Sequence, residues 1–138
     1  MQNLSYLIIK ASRHLKNKLD KALMEFDITA AQFSVIIQIH SSECPITASE
    51  ISQRLGSDKP TISGIINRLE KKGIVVKVAN PKDKRSSYLE IFKECNKLVD
   101  KMKTISDELT IDIFSIYSNE EAEKLTEMIY KLNEGTEE

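Results

Sequence analysis

The chain has no tryptophan, 6% aromatic residues, four glycines, three prolines and two cysteines in 138 residues. So little glycine and proline, without a low-complexity tract, excludes a disordered or fibrous chain and points to one compact, mostly helical domain. No apolar run approaches the ~20 residues that cross a bilayer, which excludes a membrane partner of that kind. The first residues, Met1-Gln2-Asn3-Leu4, carry neither a charged leader region nor a cleavage site, so cytoplasm is the expected location. Cys44 and Cys95 stand alone, outside any CxxC spacing, and read as two thiols rather than a disulfide. Gly-rich phosphate loops, HExxH and GxSxG are all missing, so the chain is not expected to be an enzyme or to need a cofactor.

What the chain does have is segregated charge. Its formal net charge is only −1. Residues 53–85, however, hold nine Lys/Arg against three Asp/Glu, a local net of +6. Residues 106–138 hold two Lys/Arg against ten Asp/Glu, a local net of −8. A nearly neutral protein can therefore present a cationic working face that its pI conceals. Uneven solvation of helix faces is the bland alternative, but the positive block coincides with a specific pattern of elements.

That pattern emerges along the chain. Leu4, Leu7, Ile8, Ala11, Leu15, Leu19, Ala22, Leu23 and Phe26 recur every three or four residues and predict a long helix over residues 3–26. Thr29 is the expected N-cap of a second helix running to about His40. Residues 41–46 read as a connector. Thr47 and Glu50 have capping-box spacing and open a short helix through Leu55, which Gly56 ends. Asp58 caps the next helix, with Pro60 in its first turn, and Gly73 stops it. Residues 74–79 and 86–92 read as antiparallel strands around the turn Asn80-Pro81-Lys82-Asp83-Lys84. Helical spacing returns over residues 93–117. Ser118 and Glu121 make another capping box before a final helix, with a frayed acidic tail expected from Gly135.

Residues 47–92 thus spell helix, break, helix and basic hairpin. A duplex offers a groove that admits one helix and phosphates that attract cationic loops. On the second of these helices, Ile62, Ile65, Ile66 and Leu69 fall within an arc of about 100°. Ser63, Gly64, Asn67, Arg68 and Lys71 lie opposite, with Thr61 at the edge. Small polar residues near an N-terminus suit groove reading, and the helix dipole there favours a phosphate. The expected DNA-binding residues are Lys59, Thr61, Ser63, Asn67, Arg68, Lys71, Lys82, Lys84 and Arg85. Arg68 is the candidate for guanine and Asn67 for adenine. Structural alternatives stand beside these. Arg68 could pair with Glu70 or Asp83, and Ser63 could bond back along its own helix. Asp83 suits a cationic wing only as a salt-bridge partner that orients Arg85 or Arg68.

These residues resemble the MarR family of winged-helix transcription regulators. The resemblance rests on Thr29-Ala30-Ala31-Gln32-Phe33, on Pro45 through Ile51, on Asp58 through Ser63, on Asn67 through Ile74, and on the wing residues Asp83-Lys84-Arg85. It covers nearly the whole chain. It implies a mainly α fold with a small β-hairpin wing: a winged helix-turn-helix over residues 28–105, with dimerisation helices over 1–27 and 106–138. It also implies a cytoplasmic homodimer on a pseudo-palindromic operator in double-stranded DNA. Recognition helices would occupy the major groove, and Arg85 would reach DNA from the wing. In function it implies a repressor released by a small aromatic effector. Two departures are visible. Leu89-Glu90-Ile91-Phe92 replaces a Leu-x-Leu-Thr segment, leaving the next helix without a Thr cap. Lys77 stands where the family tends to place Arg, a point charge in place of a fork.

His14 on the first helix, with His40, is the candidate effector pocket. Cys95 is expected to be buried rather than reactive. His40, Glu43 and Cys44 do not have a recognised zinc-ligand spacing, and no metal is expected. The rival function is a winged-helix protein–protein adaptor or antirepressor without DNA binding. Such a protein should show an apolar or acidic recognition face, which Ser63, Asn67 and Arg68 do not supply.

Overall fold

The computed structural model describes residues 3–136. Its helices are α1 (Leu4–Ala22), α2 (Ala30–His40), α3 (Ala48–Leu55), α4 (Lys59–Lys71), α5 (Asn96–Phe114) and α6 (Asn119–Thr136). Short strands β1 (Ile46–Thr47), β2 (Val75–Ala79) and β3 (Ser87–Ile91) form one antiparallel sheet in the order β1-β3-β2. Two 3-10 turns, Met24–Phe26 and Lys93–Cys95, precede α2 and α5. The chain divides into two compact units, one through Ile105 and one from Ser106 onward.

The first unit is built on a continuous apolar interior. Leu23, Ile36, Ile51, Ile62, Ile66, Leu69, Val75, Leu89, Val99 and Met102 are all buried in one cluster. Helix ends are set by local chemistry. Thr29 and Gln32 cap α2 reciprocally, each side chain accepting the other's backbone N–H at 3.1 Å. Thr47 Oγ1 accepts the Glu50 N–H at 3.3 Å, while Glu50 accepts from the Thr47 hydroxyl rather than its backbone, so only half of the expected box forms. Gly56 ends α3 at φ +64° and Gly73 follows α4 at φ +77°, conformations that a Cβ disfavours.

The structure corrects several sequence-based boundaries. The first helix stops at Ala22, not Phe26, because the chain turns at Leu23–Asp27 to bury Leu23 and Ile28. Asp27 makes that turn at φ +55°, which its short polar side chain tolerates. The connector before α3 ends in β1, where Ile46 pairs with Leu89 and Thr47 with Tyr88. Phe92 does not cap α5 directly. Cys95 N–H donates to Phe92 O at 2.7 Å in the 3-10 turn, and α5 starts at Asn96.

The second unit is the end of α5 and all of α6. Ser118 N–H donates to Glu121 Oε1 at 3.0 Å and Glu121 N–H to Ser118 Oγ at 3.1 Å, completing the expected box. Phe114 and Tyr117 stack across the turn with centroids 6.3 Å apart. Helix α6 continues through Gly135 to Thr136, beyond the expected fraying point, and the last two residues of the acidic tail lie outside the described residues. Among the described residues, no side chain of this unit is buried. Nor is any helix long and apolar enough to cross a membrane.

Candidate nucleic-acid interface

Helix α4 begins where Asp58, in extended conformation, accepts the Thr61 N–H at 2.8 Å. That bond, reinforced by the Thr61 hydroxyl, holds the Asp58 carboxyl below the usual carboxylate range. The apolar arc divides as its spacing requires. Ile62, Ile66 and Leu69 are buried and Ile65 is half-buried. On the other side Lys59, Thr61, Asn67, Arg68 and Lys71 are exposed and Ser63 is half-buried. Neither structural alternative from the sequence is adopted. Among the described residues Arg68 has no ion pair, and the Ser63 hydroxyl makes no bond back along its helix. Glu70 instead faces Lys77, at 3.7 Å.

The hairpin tip is held by its own side chains. Asn80, 9% exposed, donates from Nδ2 to Ser86 Oγ at 3.0 Å and accepts the Lys82 N–H at 2.9 Å. Asp83 Oδ1 accepts the Arg85 N–H at 2.9 Å and lies 3.9 Å from Arg85 Nε. Asp83 thus pins the backbone at Arg85, whose side chain stays 97% exposed. Lys82 and Lys84 are exposed beside it. The sequence marked Asn80 only as turn chemistry. Its role as the peg of the loop depends on Ser86 returning six residues later.

Helix and wing meet at a concavity of about 200 Å³. Lys59, Ser63, Asn67 and Arg85, all singled out from sequence, line it. So do Thr47, Ser49, Lys77, Ser86 and Ser87, none of them among the expected DNA-binding residues, although Lys77 stands in place of a family Arg. These five become neighbours only through the β1-β3-β2 sheet. Strand alternation is the one local signal that could have placed Lys77 on the helix side.

Other candidates separate in space. His14 is exposed on α1 and lines a shallow concavity with Leu7, Lys10, Ala11, Arg13 and Asn17. His40 is half-buried at the end of α2, its Nε2 3.4 Å from Asp100 Oδ1, and neither concavity contains both histidines. Cys95 is half-buried, with Sγ 3.5 Å from Gly73 O. Cys44 is exposed. Among the described residues no three His, Cys, Asp or Glu side chains converge as a metal site. Lys72, just past α4, has its ammonium on the carbonyl and carboxylate of Asp27 and 3.5 Å from Gln32 Oε1. It thus ties the end of α4 to the turn before α2.

A helix-turn-helix followed by a cation-tipped hairpin, all on one apolar core, is a winged-helix DNA-binding module. The chain belongs to the MarR family, whose pattern matches residues 28–87. It is 34% identical to the multiple antibiotic resistance protein MarR of Escherichia coli, over 72% of this chain and 78% of that protein. It is 27% identical to the HTH-type transcriptional regulator SarZ of Staphylococcus haemolyticus, over 85% of this chain and 78% of that one. The structure is also similar to that of S. aureus MepR in its DNA complex, with a TM-score of 0.88 and 27% identity, covering 96% of this chain and 97% of that one. The protein is a transcriptional regulator of the MarR family and not an enzyme.

Proposed function

We propose that the chain acts as a homodimeric repressor on a pseudo-palindromic operator and is released by a small aromatic effector. The observation that carries the DNA part of this reading is the shared concavity. It sets the open, small-residue face of α4 beside Arg85 of the wing. Lys59, Thr61, Ser63, Asn67, Arg68 and Lys71 would meet the major groove and its flanking phosphates, and Lys82, Lys84 and Arg85 the neighbouring backbone or minor groove.

Dimerisation is supported by unpartnered apolar surface. Leu4, Tyr6, Leu7, Ile8 and Ile9 are exposed on α1. In the second unit Ile111, Ile116, Met128, Ile129, Tyr130 and Leu132 are exposed. Surface of that extent asks for a partner. The charges are complementary too: α1 carries five Lys/Arg and one acidic residue, against the net of −8 from residue 106 onward. Two recognition helices would then lie roughly 34 Å apart, one turn of B-DNA. For the effector, the α1 concavity offers the apolar Leu7 and Ala11 beside Lys10, Arg13 and His14, a chemistry suited to an aromatic carboxylate or phenolate. His40 does not line it.

The test is a salt titration of duplex binding with the full chain. Log K should fall steeply with log salt. Arg85→Ala and Arg68→Ala should each weaken binding by roughly 5- to 100-fold with the dimer intact. Arg85→Ala should also reduce the salt slope by about one if it holds a phosphate. No duplex binding at low salt would favour the adaptor reading instead.

A further inference from the structure

Lys77 leaves β2 on the same side of the sheet as its cross-strand partner Leu89, which is buried. Its neighbours Val76 and Val78 face the other way and are exposed. Lys77 is thereby aimed at α4, where its ammonium donates to Asn67 Oδ1 at 2.9 Å and lies 3.7 Å from Glu70 Oε1. An ammonium can only donate, so the Asn67 amide is fixed with its oxygen toward Lys77 and its NH2 outward. Glu70 holds the lysine in that position and offsets part of its charge. Both Lys77 and Asn67 line the concavity between helix and wing.

The fixed amide changes what Asn67 can read. Pairing with adenine requires the asparagine to accept from N6 while donating to N7. Here the accepting oxygen already holds an ammonium, and that cation would also face the adenine amino group, donor against donor. Guanine presents two acceptors in the major groove, O6 and N7. We propose that Lys77 and Asn67 act as one donor-only unit that selects guanine over adenine, with Lys77 determining the specificity of Asn67. The inference rests on the DNA-binding reading above and reverses the adenine preference that Asn67 alone would suggest.

The experiment is selection of bound duplexes from a randomised library by the full chain, by Asn67→Ala, by Lys77→Met and by Lys77→Arg. Asn67→Ala should flatten one position in each half-site, and the wild-type chain should show guanine there. Lys77→Met frees the amide to turn, and the guanine-to-adenine ratio at that position should fall about tenfold. Lys77→Arg, still a donor without an acceptor, should keep guanine. A measurement on the wild-type chain does not depend on any variant folding. Placing 7-deazaguanine at that position removes the N7 acceptor and should weaken binding about tenfold. A wild-type preference for adenine there, an unchanged ratio in Lys77→Met, no position flattened by Asn67→Ala, or indifference to 7-deazaguanine would each overturn the inference while leaving DNA binding in place. A wild-type chain that selects no sequence at all would overturn the DNA-binding reading, and this inference with it.

Discussion

The two units are built from similar amphipathic helices and bury them differently. In the first, Leu69 is 0% and Ile66 2% exposed. In the second, Ile116 is 80%, Ile111 72% and Tyr130 65% exposed, and no described side chain is buried. The first is cationic around α4 and the wing; the second is strongly acidic. A helical stripe therefore says that a face wants burial and does not say what will cover it. In the first unit the sheet and neighbouring helices cover the α4 stripe, while the stripe of α1 keeps no buried residue. In the second, as on α1, the chain alone leaves it open, so stability should follow the covered stripes and association the open ones.

The largest break in this comparison comes from removing α1. Deleting residues 1–20 takes away the exposed Leu4, Tyr6, Leu7, Ile8 and Ile9 together with four of its five basic residues. The expected outcome in analytical ultracentrifugation is complete loss of the dimer. A truncated chain that remains dimeric, or that binds an operator as a monomer, would contradict the proposed assembly.

A smaller effect sharpens the same contrast. Leu69→Ala opens a cavity in a closed core and should cost about 2–5 kcal/mol at every protein concentration. Ile129→Ala removes a side chain that is 39% exposed, so its cost should depend on concentration, vanishing where the copies are dissociated and growing where they associate. Urea unfolding at several protein concentrations reads both. A concentration-independent loss for Ile129→Ala would mean that the second unit has an interior of its own.

How much of this was legible in sequence follows from how local each cause is. The caps at Thr29, Asp58 and Ser118 and the turn at Gly56 involve partners within a few residues, and the sequence states them. The α4 face was equally legible, because a single helix period separates Ile62, Ile66 and Leu69 from Asn67 and Arg68. Strand β1 was not. Two residues have no period, and Ile46 becomes a strand only because Leu89, forty-three positions on, pairs with it. A similar separation, forty-five positions, hid Lys72 on Asp27, and Lys77 meets Asn67, ten positions back, only because β2 folds against α4. The overlong first helix failed for the converse reason: its apolar spacing persists to Phe26, but tertiary burial of Leu23 and Ile28 overrides it.

The smallest expected effect lies at the leading end of α4. Asp58 accepts first from the Thr61 backbone N–H and then from its hydroxyl, and both depress its pKa. Because the folded value lies below the unfolded one, the stabilisation is fully present above the ordinary carboxylate pKa. It is lost as pH falls through the depressed value. Asp58→Asn keeps a capping oxygen without the titrating charge. On acidification the wild-type chain should lose stability relative to this variant, and α4 should fray from the end proposed to enter the groove. Glu121 shows the same direction of shift from its bonds with Ser118, so the global acid limb mixes the two caps. Site-resolved titration separates them. The Thr61 amide resonance should move with a midpoint below the usual aspartate value, and the Ser118 amide, which donates to the Glu121 carboxylate, should report the other cap independently. A Thr61 midpoint at the ordinary value would mean that the bond is not maintained in solution and that Asp58 does not order the recognition helix.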